Sequence, residues 1–96
     1  MMDLVFEWDE KKNRTNQRKH GVSFEEARTA FFDENARVIP DPDHSEREER
    51  FVLLGLSTAI RILVVSHCYK QSDQVIRIFS VRKADRDEQQ QYHWWL

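Results

Sequence analysis

Arg61-Ile62-Leu63-Val64-Val65-Ser66-His67-Cys68-Tyr69 and, beyond the polar break Gln71-Ser72-Asp73, Val75-Ile76-Arg77-Ile78-Phe79-Ser80-Val81-Arg82 make up the stretch that decides the fold. Both runs are rich in β-branched and aromatic residues, and a turn-prone break this short joins antiparallel neighbours. Working back along the chain, Ser57-Thr58 marks another turn, before which Arg50 to Leu56 and Ala36 to Ile39 read as two further strands. Near the start, Leu4-Val5-Phe6-Glu7-Trp8 has the content of one more short strand.

Helices fill the remaining spaces. Asp9 is a natural N-cap for a helix running to about Lys19, and Gly21 supplies the stop. Ser23-Phe24-Glu25-Glu26 fits a capping box, with Val22 and Ala27 placed as a hydrophobic staple. The spacing predicts a second helix from Phe24 to about Asp33, with Phe24, Ala27 and Phe31 on one core-facing stripe. Asp85 and Glu88 open a last helix from about Arg86 to Trp94. The order strand, helix, helix, four antiparallel strands, helix gives an α+β class: two N-terminal helices packed on a mostly antiparallel sheet of four to five strands, plus a C-terminal helix. The opposite sheet face is expected to stay available for a ligand or partner.

With 96 residues, the chain is expected to be one domain spanning 1–96 with a modest core and one site. The 33% charged and 40% hydrophobic content fits a globular domain with a solvated surface rather than disorder. No apolar run approaches a membrane helix, and Met1-Met2-Asp3 lacks the order of a signal peptide, so a cytoplasmic location is expected. The single cysteine, Cys68, excludes an internal disulfide and a cysteine zinc site, and reads as a small buried hydrophobe. A formal charge of −2 means that any binding of RNA must rely on locally gathered cations. Lys11, Lys12, Arg14, Arg18 and Lys19 gather with no acid between them, whereas Asp41 to Glu49 carries five acids. Within that loop Asp41, Asp43, His44 and Glu46 lack the ordered spacing of a calcium site, so a solvated acidic loop and no metal are expected.

Strand alternation puts Arg61, His67 and Tyr69 on one face, which becomes the expected site. Whether Arg77, or instead Ser80 and Arg82, joins them depends on hairpin register, because a slip of one residue exchanges the two sets. Cleaving RNA requires a base for the 2′-hydroxyl, an acid for the leaving oxygen and cations for the charge developing on phosphorus. His67 suits proton transfer, though a strand histidine ordinarily serves as a hydrogen-bonded structural group. Glu49 is a further possible base, and Arg77 and Arg82 offer forked, permanent cations. At the chain end, Tyr92, Trp94 and Trp95 offer an aromatic surface that suggests partner binding, with core packing of Tyr92 and Trp95 as the alternative.

Phe6-Glu7-Trp8-Asp9, Asn16, and Lys19-His20-Gly21-Val22-Ser23-Phe24-Glu25-Glu26-Ala27 together resemble the opening of the BrnT toxin family. The resemblance continues through Glu49-Arg50, Leu63-Val64-Val65 leading to His67 and Tyr69, and Ile76-Arg77-Ile78 leading to Ser80 and Arg82-Lys83-Ala84. It implies a RelE-like fold, a ribonuclease that arrests translation, and no bound cofactor. It also implies a BrnA-type antitoxin with a ribbon-helix-helix segment, through which alone DNA would be reached. On this reading the chain is a metal-independent endoribonuclease in which His67, Tyr69, Arg77, Arg82 and Glu49 are catalytic candidates. Lys19, His20, Arg50, Arg61 and Lys83 are the RNA- and phosphate-binding candidates. The alternative is a catalytically weak module that binds its antitoxin mainly to regulate its own operon.

Overall fold

The computed structural model describes residues 4–41 and 49–96. The expected acidic loop around Asp43, His44 and Glu46 therefore lies outside the described residues. In chain order the elements are β1 (Val5–Glu7), α1 (Glu10–His20), α2 (Phe24–Ala30), β2 (Arg37–Pro40), β3 (Phe51–Leu56), β4 (Ile62–Lys70), β5 (Val75–Lys83) and α3 (Arg86–Trp94). The strands form one five-stranded sheet in the order β1-β5-β4-β3-β2, antiparallel except where β1 runs parallel to β5. The α+β class and the order of elements are those the sequence predicts.

Local chemistry explains the boundaries. The Asp9 carboxylate accepts from the backbone N–H groups of Lys11 and Lys12, and Gly21, at φ 71°, closes α1 in the left-handed region that glycine adopts without strain. The hairpin between β4 and β5 turns through Gln71, Ser72 and Asp73, all at positive φ. Asp85 and Glu88 complete a reciprocal capping box at the start of α3. At Ser23 the box is only half formed. The Ser23 hydroxyl accepts from Glu26 N–H, but the Glu26 carboxylate turns away to Ser57 and Arg61. Helix α2 also ends earlier than expected, at Ala30, because Asp33 is recruited elsewhere. Its carboxylate accepts from the backbone of Asn35 and Leu56 and from the Tyr92 hydroxyl, holding the chain in a turn.

The main core lies between the sheet and α2, where Val22, Phe24, Ala27 and Ala30 meet Leu53, Leu63, Val65, Ile76, Ile78 and Val81. Helix α1 carries no apolar residue, and its buried side chains are Asn13 and Asn16. It lies along β5 beyond the point where β1 stops pairing. There the Asn16 amide donates to Val81 O (2.8 Å) and to Val22 O (3.0 Å), and its oxygen accepts from Val81 N–H (3.1 Å). One side chain thus satisfies backbone groups that a neighbouring strand would otherwise pair. Asn13 does the same for the start of α2, accepting from Phe24 N–H at 2.8 Å.

The second sheet face, expected to stay available for a ligand or partner, is open over only part of its area. Helix α3 packs over one end of it, placing Tyr92 and Ala84 against Leu54 and Val64. The other end of this face remains uncovered by a helix and holds the polar groups described next.

Candidate active site

Register decides which side chains meet. Val65 pairs with Val81 and Ser66 with Ser80, but His67 pairs with Ile78, so Phe79 is an extra residue on β5. This bulge reverses the alternation of β5. Ile76, Ile78 and Val81 consequently all face the main core, and Arg77, Ser80 and Arg82 all face the open side. The two sets that hairpin register was expected to exchange therefore lie on one face together.

The expected grouping of Arg61, His67 and Tyr69 on a common face is what the sheet displays, but that face is the one covered by the helices. His67 is 0% exposed. Its ring meets Phe31 edge to face with centroids 4.8 Å apart. Nδ1 lies 3.1 Å from Val65 O and Nε2 3.1 Å from the Tyr69 hydroxyl. Since a carbonyl can only accept, Nδ1 carries the proton and Nε2 accepts from Tyr69 O–H. Burial pushes the His67 pKa down, favouring this neutral form. The exposed catalytic face expected around His67 is thus corrected: its ring is a satisfied core group. Arg61 is likewise committed, through its guanidinium, to the Glu26 carboxylate and to Gly21 O. That ion pair holds Glu26 below the usual carboxylate range. Tyr69, Glu49, Phe51 and Asp73 line a separate cavity of about 410 Å³, whose two carboxylates have no basic side chain beside them among the described lining residues and so suit phosphate poorly.

On the open face a cleft of about 320 Å³ has Val52 and Val64 as its floor, and Ile39, Asp41, His20, Ser66, Ser80, Arg82 and Glu88 among its walls. His20 reaches it from the C-terminal end of α1, which runs along the uncovered edge of β5. Arg82 makes a bidentate ion pair with Glu88 of α3, at 2.7 and 2.8 Å. The hydrogen bonds from Arg82 keep the Glu88 carboxyl well below its ordinary pKa. Arg77 stands farther along the same face, 3.5 Å from Glu7. Arg50 precedes β3, and with Phe51 turned to His67, alternation directs Arg50 to the open face as well.

Of the remaining residues singled out in the sequence, Lys19 is exposed on α1, and Lys83 is exposed on the helix side, its Nζ close to Gly21. Tyr92 is corrected from a partner-binding surface to a core residue. It is 3% exposed, and its hydroxyl donates to Asp33 Oδ2 at 2.6 Å, so that burial and this bond push its pKa up to about 12. Trp94 is 83% exposed, and Trp95 lies beneath the Arg37 guanidinium at 4.7 Å. Sequence reasoning missed Glu88 and Ser66 as cleft residues. Glu88 was visible only as a capping residue, and Ser66 follows once the covered face of β4 is known.

Among the described residues no helix is long and apolar enough to cross a membrane, and no group of three or more histidine, cysteine and acidic side chains is placed to hold a metal. Comparison with curated proteins finds no match. Among solved structures, the chain is similar to the Brucella abortus ribonuclease toxin BrnT, known from a 1.1 Å crystal structure. The match has a TM-score of 0.65 and 24% identity, covering 90% of this chain and 100% of that one. A family model described as the ribonuclease toxin BrnT of type II toxin-antitoxin systems matches residues 8–88, a span that contains His20, the whole of β2 to β5 and Glu88. The chain therefore belongs to the BrnT family of ribonuclease toxins.

Proposed function

We propose that this type II toxin is a metal-independent endoribonuclease whose cleavage site is the open-face cleft of His20, Ser66, Ser80 and Arg82. The observation that carries the proposal is the convergence, in one solvent-open cleft, of an imidazole, a guanidinium and two hydroxyls, beside the carboxylates of Asp41 and Glu88. In this reading His20 takes the proton from the ribose 2′-hydroxyl. The 2′-oxygen forms its bond to phosphorus as the bond to the 5′-oxygen breaks, and that oxygen leaves with a proton from the imidazolium or from water. The products are a 2′,3′-cyclic phosphate and a 5′-hydroxyl. Arg82 offers fixed positive charge to the phosphoryl oxygens as negative charge grows there. Glu88 is its positioning residue, since a carboxylate gripping the two terminal guanidinium nitrogens fixes the orientation of the whole group and leaves further N–H donors for the phosphoryl oxygens. Arg77, Arg50 and Lys19 extend the cationic surface toward flanking phosphates, which answers the net charge of −2 with local cations.

The domain is proposed to comprise residues 1–96 and to act in the cytoplasm, where cleavage of RNA arrests translation. Its antitoxin is proposed to be of the BrnA type, with a ribbon-helix-helix segment that alone contacts DNA, and exposed Trp94 and Trp95 are the proposed partner-binding residues. The test is incubation of purified, antitoxin-free protein with total RNA in EDTA, followed by analysis of the new ends. Cyclic phosphate and 5′-hydroxyl ends that disappear when antitoxin is added are expected. Intact RNA alongside full operator repression by the complex would select a purely regulatory role instead.

A further inference from the structure

The bulge residue itself has no role in the chemistry above, yet its placement is unusual. Phe79 is the unpaired residue of β5, inserted between Ile78, which pairs with His67, and Ser80, which pairs with Ser66. Among the described residues it belongs to neither apolar cluster, and it stays half-buried. The Arg50 guanidinium lies over its ring, 4.2 Å from the centroid. The stack lies next to cleft residues along the open face, because Phe79 adjoins Ser80 in sequence, and Arg50, just before β3, is directed to the same face as Val52 two residues on.

We infer that the Arg50–Phe79 stack is a nucleobase subsite, seating the base of a single-stranded RNA nucleotide next to the phosphate held in the cleft. A planar cation supported by an aromatic ring is a stacking surface that accepts the π-face of a base. Such surfaces are how proteins hold unpaired RNA bases, whose faces are free once the strand is unstacked. The bulge explains why the cleft residues lie next to this surface. An extra residue re-aims a side chain, and without it the alternation that keeps Ile76 and Ile78 in the core would bury Ser80 and expose Val81. Plain alternation from Ile78 turns Phe79 to the open face, and the insertion then brings Ser80 and Arg82 to that same face beside it.

This inference rests on the open-face reading of the cleavage site, so the experiment separates the two. The probe is a short single-stranded RNA, uniformly 2′-O-methylated to prevent cleavage and carrying one 2-aminopurine, beside an abasic oligomer with the same number of phosphates. Phe79→Leu is expected to weaken binding of the base-bearing probe by about 10-fold, the lower part of the range for losing one stacked base, and to abolish 2-aminopurine quenching. Phe79→Trp should retain both, and the abasic oligomer should bind Phe79→Leu and wild type alike. Arg82→Ala should weaken both probes. Wild-type affinity and quenching in Phe79→Leu, with Arg82→Ala impaired, would overturn the stacking subsite and leave the cleft standing. If Arg82→Ala bound both probes normally, the cleft itself would be misplaced. If Phe79→Leu fails to fold, Phe79→Trp and Arg50→Lys decide the matter. Retained quenching in the tryptophan variant and weakened binding in the lysine variant support the subsite, and the reverse pattern overturns it.

Discussion

Replacing His67 by glutamine should destabilise the protein at neutral pH and at the same time remove part of its acid sensitivity. The imidazole is fully buried, with Nδ1–H donating to Val65 O and Nε2 accepting from Tyr69. Glutamine can reproduce part of that bonding but not the ring contacts with Phe31, so a loss of about 1–3 kcal/mol is expected at pH 7.5, within the usual range for a core substitution. In a domain of this size each kcal/mol corresponds to about 4–8 °C in Tm. The pH dependence has a definite sign. Burial depresses the folded-state pKa of His67 below the ordinary value of 6.5, so the unfolded chain takes up a proton that the native state refuses. Above about pH 6.5 neither state is protonated and the group adds no slope. Below it, wild-type stability falls by up to about 1.4 kcal/mol per pH unit until the depressed native value is reached. Glutamine does not titrate, so the stability gap between wild type and His67→Gln should narrow as pH falls from about 7.5 to 5.5, the window this shift opens. Urea unfolding followed by circular dichroism at several pH values measures it. A gap that stays constant, or widens toward acid, would refute a buried neutral imidazole.

Two further substitutions test the packing that places the cleft. Asn16→Ala leaves the outward N–H and C=O of Val81 without their partner and should cost about 2–5 kcal/mol by urea unfolding, with faster hydrogen exchange at Val81; a loss below about 1 kcal/mol would show that α1 is not held by this side chain. Gly55→Ala introduces a Cβ 2.9 Å from Ala30 O and from a Leu53 methyl, so the close approach of α2 to β3 must open. A loss of about 1–3 kcal/mol is expected, and a neutral result would mean that the contact is looser than 2.9 Å implies.

Much of this architecture was legible because local rules act alone at its boundaries. Asp9 and Gly21 for α1, and Asp85 with Glu88 for α3, cap where their sequence positions say they should. The end of α2 was not legible, since it depends on Asp33 finding Leu56 and Tyr92 across the fold. Alternation placed Arg61, His67 and Tyr69 on one face but could not identify which face the helices cover. Leu63 and Val65 on one side of β4 are no more apolar than Val64 and Cys68 on the other. The bulge did leave a trace in the apolar spacing of Ile76, Ile78 and Val81, where a step of three interrupts the period of two. Helix α1 escaped hydrophobic patterning altogether because asparagines, not apolar residues, anchor it.

The central claim, that RNA is cleaved on the open face and not beside His67, is tested most directly by single-turnover cleavage of one RNA substrate in EDTA by four proteins: wild type, His20→Ala, Arg82→Ala and His67→Gln, each checked for folding by circular dichroism. His20→Ala and Arg82→Ala should each slow cleavage by about 100-fold or more, the usual scale for removing an acid–base group or a charge-stabilising donor. His67→Gln should cleave within a few-fold of wild type at a temperature where it is folded. Cleavage lost in folded His67→Gln but kept in His20→Ala and Arg82→Ala would contradict the account and move the site to the face beneath the helices.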